Sequence, residues 1–140
     1  MAITQTMCTS FKEELLEGTH DLDTHTLKLA LYTSSATLGA STTAYSTTNE
    51  ASGTGYTAGG ATIANVAVAS SGTTAFVDFD DVSFTSATIT DAAGALIYNS
   101  SASNKAIAVI DFGSTKSVSG GTLTITLPTA SATTALIRLS

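Results

Sequence analysis

The chain has 140 residues and a formal net charge of −6, which suits one domain with a single hydrophobic core. Only 11% of its residues are charged, against roughly 25% in an ordinary soluble domain. The composition therefore predicts a surface that is polar but weakly charged. It excludes the concentrated positive charge with which a protein binds nucleic acid.

The basic residues and the cysteine give little sign of chemistry. The five basic residues are dispersed along the chain: Lys12, Lys28, Lys105, Lys116 and Arg138. The single cysteine, Cys8, cannot form an intramolecular disulfide, and we expect a buried, unreactive thiol. The first residues lack the features of a signal peptide, and no apolar run approaches about 18 residues. We therefore expect synthesis in the cytoplasm and no membrane partner.

The N-terminal residues 1–18 have the pattern of one amphipathic helix. Apolar residues recur every four positions at Ile3, Met7, Phe11 and Leu15. The charged residues occupy other positions: Lys12, Glu13, Glu14 and Glu17. Gly18 suits the position just after the helix, where a left-handed backbone is needed. A helix this short needs tertiary contacts, so a sheet or a neighbouring subunit must cover its apolar stripe.

The clearest strand lies at residues 26–33. Leu27, Leu29 and Leu31 alternate there with less apolar residues, which is the period of a strand with one buried face. The next segment, residues 34–60, shows no sustained periodicity. A loop of that length is uncommon in a compact domain and is typical of a binding loop or an extended arm.

The remaining sequence predicts short strands separated by turns at intervals of roughly 8 to 12 residues, as in sandwiches and barrels. Asn65 interrupts the alternation of the first of them, which suggests a bulge, and Asp80-Asp81 suits a tight hairpin turn. With the strand at 26–33 the count is eight. The other candidates are residues 61–69, 74–79, 82–89, 93–99, 105–112, 121–127 and 134–139. We predict one domain over residues 1–140: an all-β, jelly-roll-like antiparallel sandwich over residues 26–140, preceded by one short N-terminal helix.

Two groups of residues could hold a metal ion. The segment 20–25 carries His20, Asp21, Asp23 and His25, and such ligands suit zinc. It also lies between a helix end and a strand start, where polar residues satisfy exposed backbone groups, and we take that interpretation. A second acidic set could supply oxygen ligands to calcium, but it lacks the order of an EF-hand loop. That set is Asp78, Asp80, Asp81 and Asp111.

Tyrosines within the long loop suggest recognition. Tyr45 and Tyr56 lie among Thr, Ser and Gly, a composition that resembles protein-recognition surfaces. Alternatively, each ring plugs one end of the sandwich. We take Tyr45, Asn49, Glu50 and Tyr56 as candidate protein-interaction residues. The sequence indicates no catalytic residues, no metal and no cofactor.

Several segments together resemble a family of virion proteins. The most distinctive is Asn49–Tyr56, with the sequence NEASGTGY; the others are residues 7–15, 27–33, 75–84, 94–98 and 108–112. They resemble small virion proteins of tailed bacteriophages, and most closely the capsid decoration or cement class. That resemblance implies a structural protein without enzymatic activity. It would bind the major capsid protein on the outside of the head and associate with itself as a dimer or trimer.

Two other functions remain open from the sequence. A tail-fibre or tail-tip protein would use the Gly-rich loop to contact a host receptor, although the long repetitive segments of fibres are missing here. A carbohydrate-binding β-sandwich would need an exposed aromatic platform. With no Trp and only four Tyr, the chain is poorly supplied for one.

Overall fold

A long antiparallel hairpin organises the fold of this computed structural model, which describes residues 2–140. Its strands pair along most of their length and belong to a six-stranded sheet, and a separate three-stranded sheet completes the molecule. All pairs between named strands are antiparallel. The elements among the described residues are β1 (Thr6–Met7), α1 (Thr9–Leu16), β2 (Leu27–Thr33), β3 (Gly53–Thr54), β4 (Ala61–Thr62), β5 (Ala67–Ser71), β6 (Thr74–Asp78), β7 (Val82–Asn99), a 3₁₀ turn (Ser100–Ala102), β8 (Lys105–Ile125) and β9 (Arg138–Leu139).

The helix α1 is shorter than the predicted helix over residues 1–18. Extended backbone precedes it, because Thr4 N–H donates to Leu38 O at 2.9 Å and β1 pairs with β8. Gly18 ends the helix as predicted, with a φ of +80°. The Gly18 and Thr19 amides donate to the carbonyls of Leu15 and Glu14, which is a Schellman motif.

The strand predicted at residues 26–33 is confirmed as β2, but both of its faces are buried. Leu27, Leu29 and Leu31 are fully buried, and so are Ala30 and Tyr32 on the opposite face. β2 lies between β7 and β4 in the large sheet. The alternation therefore predicted the strand correctly, whereas the prediction that only one of its faces is buried was wrong.

Four of the predicted strands merge into the two strands of the long hairpin. β7 covers both 82–89 and 93–99, and β8 covers 105–112 and residues 121–125 of the strand predicted at 121–127. The turn expected between Phe112 and Gly121 is instead an irregular part of β8, with extra residues between the pairs Gly94–Asp111 and Ala92–Lys116. A bulge of this kind bends a strand without ending it.

The predicted strand at residues 61–69 is divided between the two sheets. β4 pairs with β2, whereas β5 pairs with β6 in the small sheet. Asn65 lies between them at a φ of +52°, and its amide donates to Asp80 Oδ2 at 2.7 Å. The predicted bulge is therefore a change of sheet. Likewise Asp80-Asp81 joins two sheets, since β6 and β7 are not partners, and the predicted hairpin there was wrong.

The remaining differences concern the loop at 34–60 and the C-terminal strand. The loop contains β3, which pairs with β7, and isolated bridges tie it to the sheet. Only Arg138–Leu139 of the predicted strand at 134–139 is a strand, so residues 2–140 contain nine strands rather than eight.

The buried apolar side chains form one connected cluster. It runs from Cys8 and Phe11 at the N-terminus to Ile137 near the C-terminus, and it includes residues of both sheets. The prediction of an all-β antiparallel sandwich with one short N-terminal helix is confirmed. No helix within residues 2–140 is long and apolar enough to cross a bilayer.

Replacing Gly60 by Ala should test how closely the long loop packs on β2. Gly60 has a φ of +80°, and a Cβ there would lie 1.8 Å from Leu29 O. Gly72 is the matched control, because its φ is +61° but a Cβ would have open space. Gly72→Ala should cost about 1–2 kcal/mol of unfolding free energy for the left-handed backbone, and Gly60→Ala clearly more. Equal losses in urea unfolding would contradict the close approach.

Candidate functional site

The segment that carries the candidate residues is fixed against β2. Thr33 N–H donates to Asn49 O at 2.9 Å, and Ala51 N–H donates to Leu31 O at 2.8 Å. Asn49 reaches this position with a φ of +59°, a conformation that Asn tolerates better than most residues. Glu50 lies between these two bonds and forms a bridge with Tyr32.

Both oxygens of the Glu50 carboxylate accept hydrogen bonds from within the chain. Oε1 accepts from the Tyr45 hydroxyl at 2.7 Å. Oε2 accepts from the Tyr56 hydroxyl at 2.5 Å and from Gly59 N–H at 2.8 Å. Bonds to an ionised acceptor are shorter and stronger than neutral ones. The carboxylate therefore joins three points of the loop at 45–59.

Two of the tyrosines connect this carboxylate to the large sheet. The Tyr56 hydroxyl accepts from Leu31 N–H at 2.9 Å while it donates to Glu50, so it links β2 to the loop. Tyr98 of β7 donates to Gly59 O at 2.5 Å and stacks on Tyr45 with ring centroids 4.7 Å apart. The loop is thus held to both central strands.

Tyr32 completes the group, so that all four tyrosines of the chain lie in one cluster. Its hydroxyl donates to Ser46 O at 2.6 Å. Burial raises the pKa of Tyr32 to about 12, and the charge of Glu50 adds to the effect, although the hydrogen bond that Ser46 N–H donates to the hydroxyl opposes it. For Tyr45 and Tyr56, burial and then donation to Glu50 raise the pKa well above the ordinary range. Burial and Glu50 also raise the pKa of Tyr98.

Three of the four candidate interaction residues therefore meet in this cluster, which we call the Glu50–tyrosine cluster (Tyr32, Tyr45, Glu50, Tyr56 and Tyr98). Tyr56 is 9% exposed, and its ring centroid lies 5.3 Å from that of Phe84. Tyr56 therefore packs within the fold. Tyr45 is half-buried. Asn49 is exposed and its amide donates to Ser35 O at 3.2 Å, outside the cluster.

Sequence reasoning did not identify Tyr32, Tyr98 or Gly59 as members. Tyr32 alternates with the leucines of β2, so the sequence placed it on the opposite face without indicating what it contacts. Nothing in the sequence places Tyr98 near Tyr45, because the contact depends on the pairing of β2 with β7. The cluster is a tertiary feature without a local motif.

A second polar group joins α1 to the long hairpin. Asn99 is fully buried, and its Oδ1 accepts from Ser101 N–H, which identifies Nδ2 as the donor. Nδ2 donates to Nδ1 of His20 at 3.0 Å and to Nδ1 of His25 at 2.9 Å. His20 must then carry its proton on Nε2, which donates to Glu14 Oε1 at 3.0 Å.

Glu14 is the charged end of this group. Its Oε2 lies 3.1 Å from Lys105 Nζ at the start of β8. Burial raises the pKa of Glu14, but the hydrogen bonds from His20 and Lys105 and the charge of Lys105 outweigh that effect and leave the pKa below its usual value. Glu14 therefore stays ionised and ties the helix to the hairpin.

The side chains of the two candidate metal-ligand sets are not arranged around a common metal position. The two histidines of the first set share the Asn99 amide, and Asp21 accepts from Thr24 within its own turn. In the second set Asp80 accepts from Asn65 and Asp81 from Leu127 N–H. Across residues 2–140, no three His, Cys, Asp or Glu side chains are placed to hold a metal ion.

Cys8 is fully buried, as predicted. Burial, with the nearby charge of Glu14, raises the pKa of its thiol to about 11. The reactive thiolate is therefore scarce at neutral pH.

Comparisons of the chain with protein-family models, with curated proteins and with solved structures found no match.

Glu50→Gln should show how much the carboxylate stabilises the loop. Glutamine keeps the shape of the glutamate side chain but has no charge. Its NH2 group would replace one accepting oxygen, and it would then face another donor: either the Tyr45 hydroxyl or the two donors to Oε2. We expect a loss of about 1–3 kcal/mol in the free energy of unfolding. Glu13→Gln is the control, since Glu13 is exposed on α1. The two variants should differ in urea unfolding; equal stability would contradict the role of Glu50.

The tyrosines should make the fold sensitive to alkali. Tyr32 has a pKa of about 12 in the folded chain, against about 10 when unfolded, so the folded state holds its proton more tightly. Its contribution to stability is complete below pH 10 and is lost as the pH rises towards 12. We expect tyrosinate absorbance and loss of circular dichroism to appear together above pH 10. Ionisation of the tyrosines at pH 10 in a chain that remains folded would contradict this.

Proposed function

We propose that the protein is a structural virion protein, a capsid decoration or cement protein of a tailed bacteriophage. It binds the outer surface of the head and stabilises contacts between major capsid subunits. The mechanism is passive, because each copy adds contacts across a seam between subunits and lowers the free energy of the closed shell.

The observation that carries the proposal concerns residues 49–56, the most distinctive part of the sequence resemblance. This segment is an internally bonded loop in which Glu50 is held by Tyr45, Tyr56 and Gly59. Both carboxylate oxygens are occupied by donors of the chain itself. A glutamate in this state supports the shape of a surface loop, which suits a protein that acts by contact.

The outer part of the long hairpin, which is the end away from its turn at residues 100–104, also suits a contact protein. Hydroxyl side chains line one face of this two-stranded ribbon; Ser83 and Thr124 bond to each other at 3.0 Å across it. Thr122 and Thr126 are exposed in the same part of the chain. A face of this kind is wettable and nearly uncharged, so it can lie against another protein without the desolvation cost of buried charges.

The charge of the chain agrees with a position on the outside of a head. A net charge of −6 with dispersed cations gives phosphate groups no patch to bind. We propose that two or three copies associate about a symmetry axis, because closed symmetry is usual for homo-oligomers.

The aromatic rings do not favour the carbohydrate-binding alternative. A sugar platform needs exposed rings, but Tyr32, Tyr56 and Tyr98 are at most 9% exposed, and Tyr45 stacks on Tyr98. Three phenylalanines are buried as well: Phe11, Phe79 and Phe84.

Virion composition tests the proposal directly. We expect the protein in purified particles at a copy number comparable to that of the major capsid protein, because a cement protein occupies repeated sites on the shell. Quantitative mass spectrometry of whole particles, heads and detached tails measures this. Only a few copies per particle, found with the tails, would contradict the proposal and favour a tail role.

A binding experiment provides the second readout. Purified chain added to heads that lack it should sediment with them and raise the temperature at which they open. The control is the same chain added to detached tails. Heads that neither bind the chain nor gain heat stability would contradict the cement mechanism.

A further inference from the structure

An apolar groove lies between the small sheet and the end of α1. Its volume is about 280 Å³. Apolar residues that line it include Leu15, Leu22, Val68, Val77, Ile137 and Leu139. Ile137 at its floor is buried, whereas Val68 is 50% exposed and Leu139 is 53% exposed. The inner face of the small sheet is therefore only partly covered by the rest of the chain.

The strand β5, which contributes Val68 to this groove, is an open sheet edge. It pairs with β6 on one side only, through five consecutive residue pairs without a bulge. No residue between positions 66 and 77 is charged. Proteins usually protect a sheet edge by charges, prolines or bulges, and β5 has none of these.

The other long free edge, the outer half of β8, is protected. Its pairing with β7 shifts register repeatedly, and Gly113 and Gly120 have φ values of +77° and +60°. Lys116 adds a charge to it. The large sheet otherwise ends in β1, β3 and β4, each of two residues, and in residues 82–87 of β7, which share the register shifts. β5 is thus a regular, uncharged edge in a chain that interrupts or shortens the others.

The charges beside the groove indicate what kind of segment fits. Asp21 lines the groove. Residues 13–23 contain five carboxylates and no Lys or Arg, and Lys105 neutralises only Glu14 among them. A second copy of this chain would bring more negative charge to this margin, whereas a cationic segment is complementary to it.

We propose that β5 binds an extended segment of a partner protein, in which an apolar residue and a Lys or Arg two positions away share one face. The segment adds a strand to the small sheet. Its backbone bonds to the free edge of β5, one apolar side chain enters the groove beside Val68, and its cations lie near Asp21. The inference rests on the proposed function in that the segment belongs to a capsid subunit.

Two synthetic peptides test the surface without any capsid. The first is the capped hexapeptide Lys-Thr-Val-Thr-Lys-Thr, in which Val and both Lys share one face, and the second has Glu in place of both Lys. Titration into the isotopically labelled full chain should shift the amide resonances of Ala67–Ser71, with the Glu peptide at least about tenfold weaker. Absence of shifts at β5, or equal affinity of the two peptides, would overturn the inference.

A pair of variants locates the binding. Val68→Lys places a charge on the edge and should weaken binding of the first peptide about tenfold. Thr90→Lys, also at an exposed strand position but on β7, should leave it unchanged. Both variants should fold, because both side chains are exposed. An equal loss of peptide affinity in both variants, or no loss in either, would overturn the placement of the binding site on β5.

The remaining outcomes separate the surface from the function. If sedimentation shows a dimer that Val68→Lys abolishes, the edge binds a second copy and the proposed partner segment is wrong. If the peptide binds at β5 but heads do not bind the chain, the surface stands and the capsid function fails. If heads bind Val68→Lys as well as the unchanged chain, the capsid function stands and this surface is not the one used.

Discussion

The burial of the C-terminal third of β7 is the constraint on which the rest of the structure depends. Residues 94–99 lie between β2 and β8 and are fully or almost fully buried. A shift of one residue would move every side chain to the opposite face, so the register is strongly specified. Gly94 shows how tight the packing is, because a Cβ there would lie 2.6 Å from Ile110 O and 2.8 Å from Ile3 Cγ2.

The position of β7 then determines where the long loop lies. Tyr98 of β7 bonds to Gly59, and Leu31 of β2 bonds to Tyr56, so the loop has a fixed support on each central strand. Ordering a loop of this length costs backbone entropy at about 1–2 kcal/mol per residue. The three donors on Glu50 help to offset that cost at the centre of the loop. The result is a shaped surface rather than a flexible arm.

Local periodicity was sufficient to predict some elements and not others. β2 was predicted because leucines at alternate positions indicate a strand. The helix end at Gly18 was predicted because a glycine readily adopts the left-handed backbone that follows a helix. The hairpin was predicted as four strands, since the Gly113 region has the composition of a turn. Whether such residues reverse the chain or only bulge depends on the partner strand, which a single sequence does not show.

The candidate site was predictable in part for the same reason. Tyr45, Glu50 and Tyr56 are close in sequence, and their shared loop drew attention to them. Tyr32 and Tyr98 join them only through the pairing of β2 with β7. The roles of Asn99 and His20 also depend on contacts across 79 residues of sequence. Such contacts belong to the fold and not to a motif.

Weak charge limits how this chain can bind a partner. With 11% charged residues, long-range electrostatic steering is small, and encounter is slow compared with strongly charged pairs. The contact comprises a five-residue strand and a groove lined by ten residues, fewer than the roughly 20–30 residues a side of a standard interface. Such a contact becomes firm when several copies bind one lattice together, because linked sites raise the effective concentration without new contacts. In the proposed capsid role, a weakly charged chain that binds through the free edge of β5 is better suited to a repeating surface than to a single isolated partner.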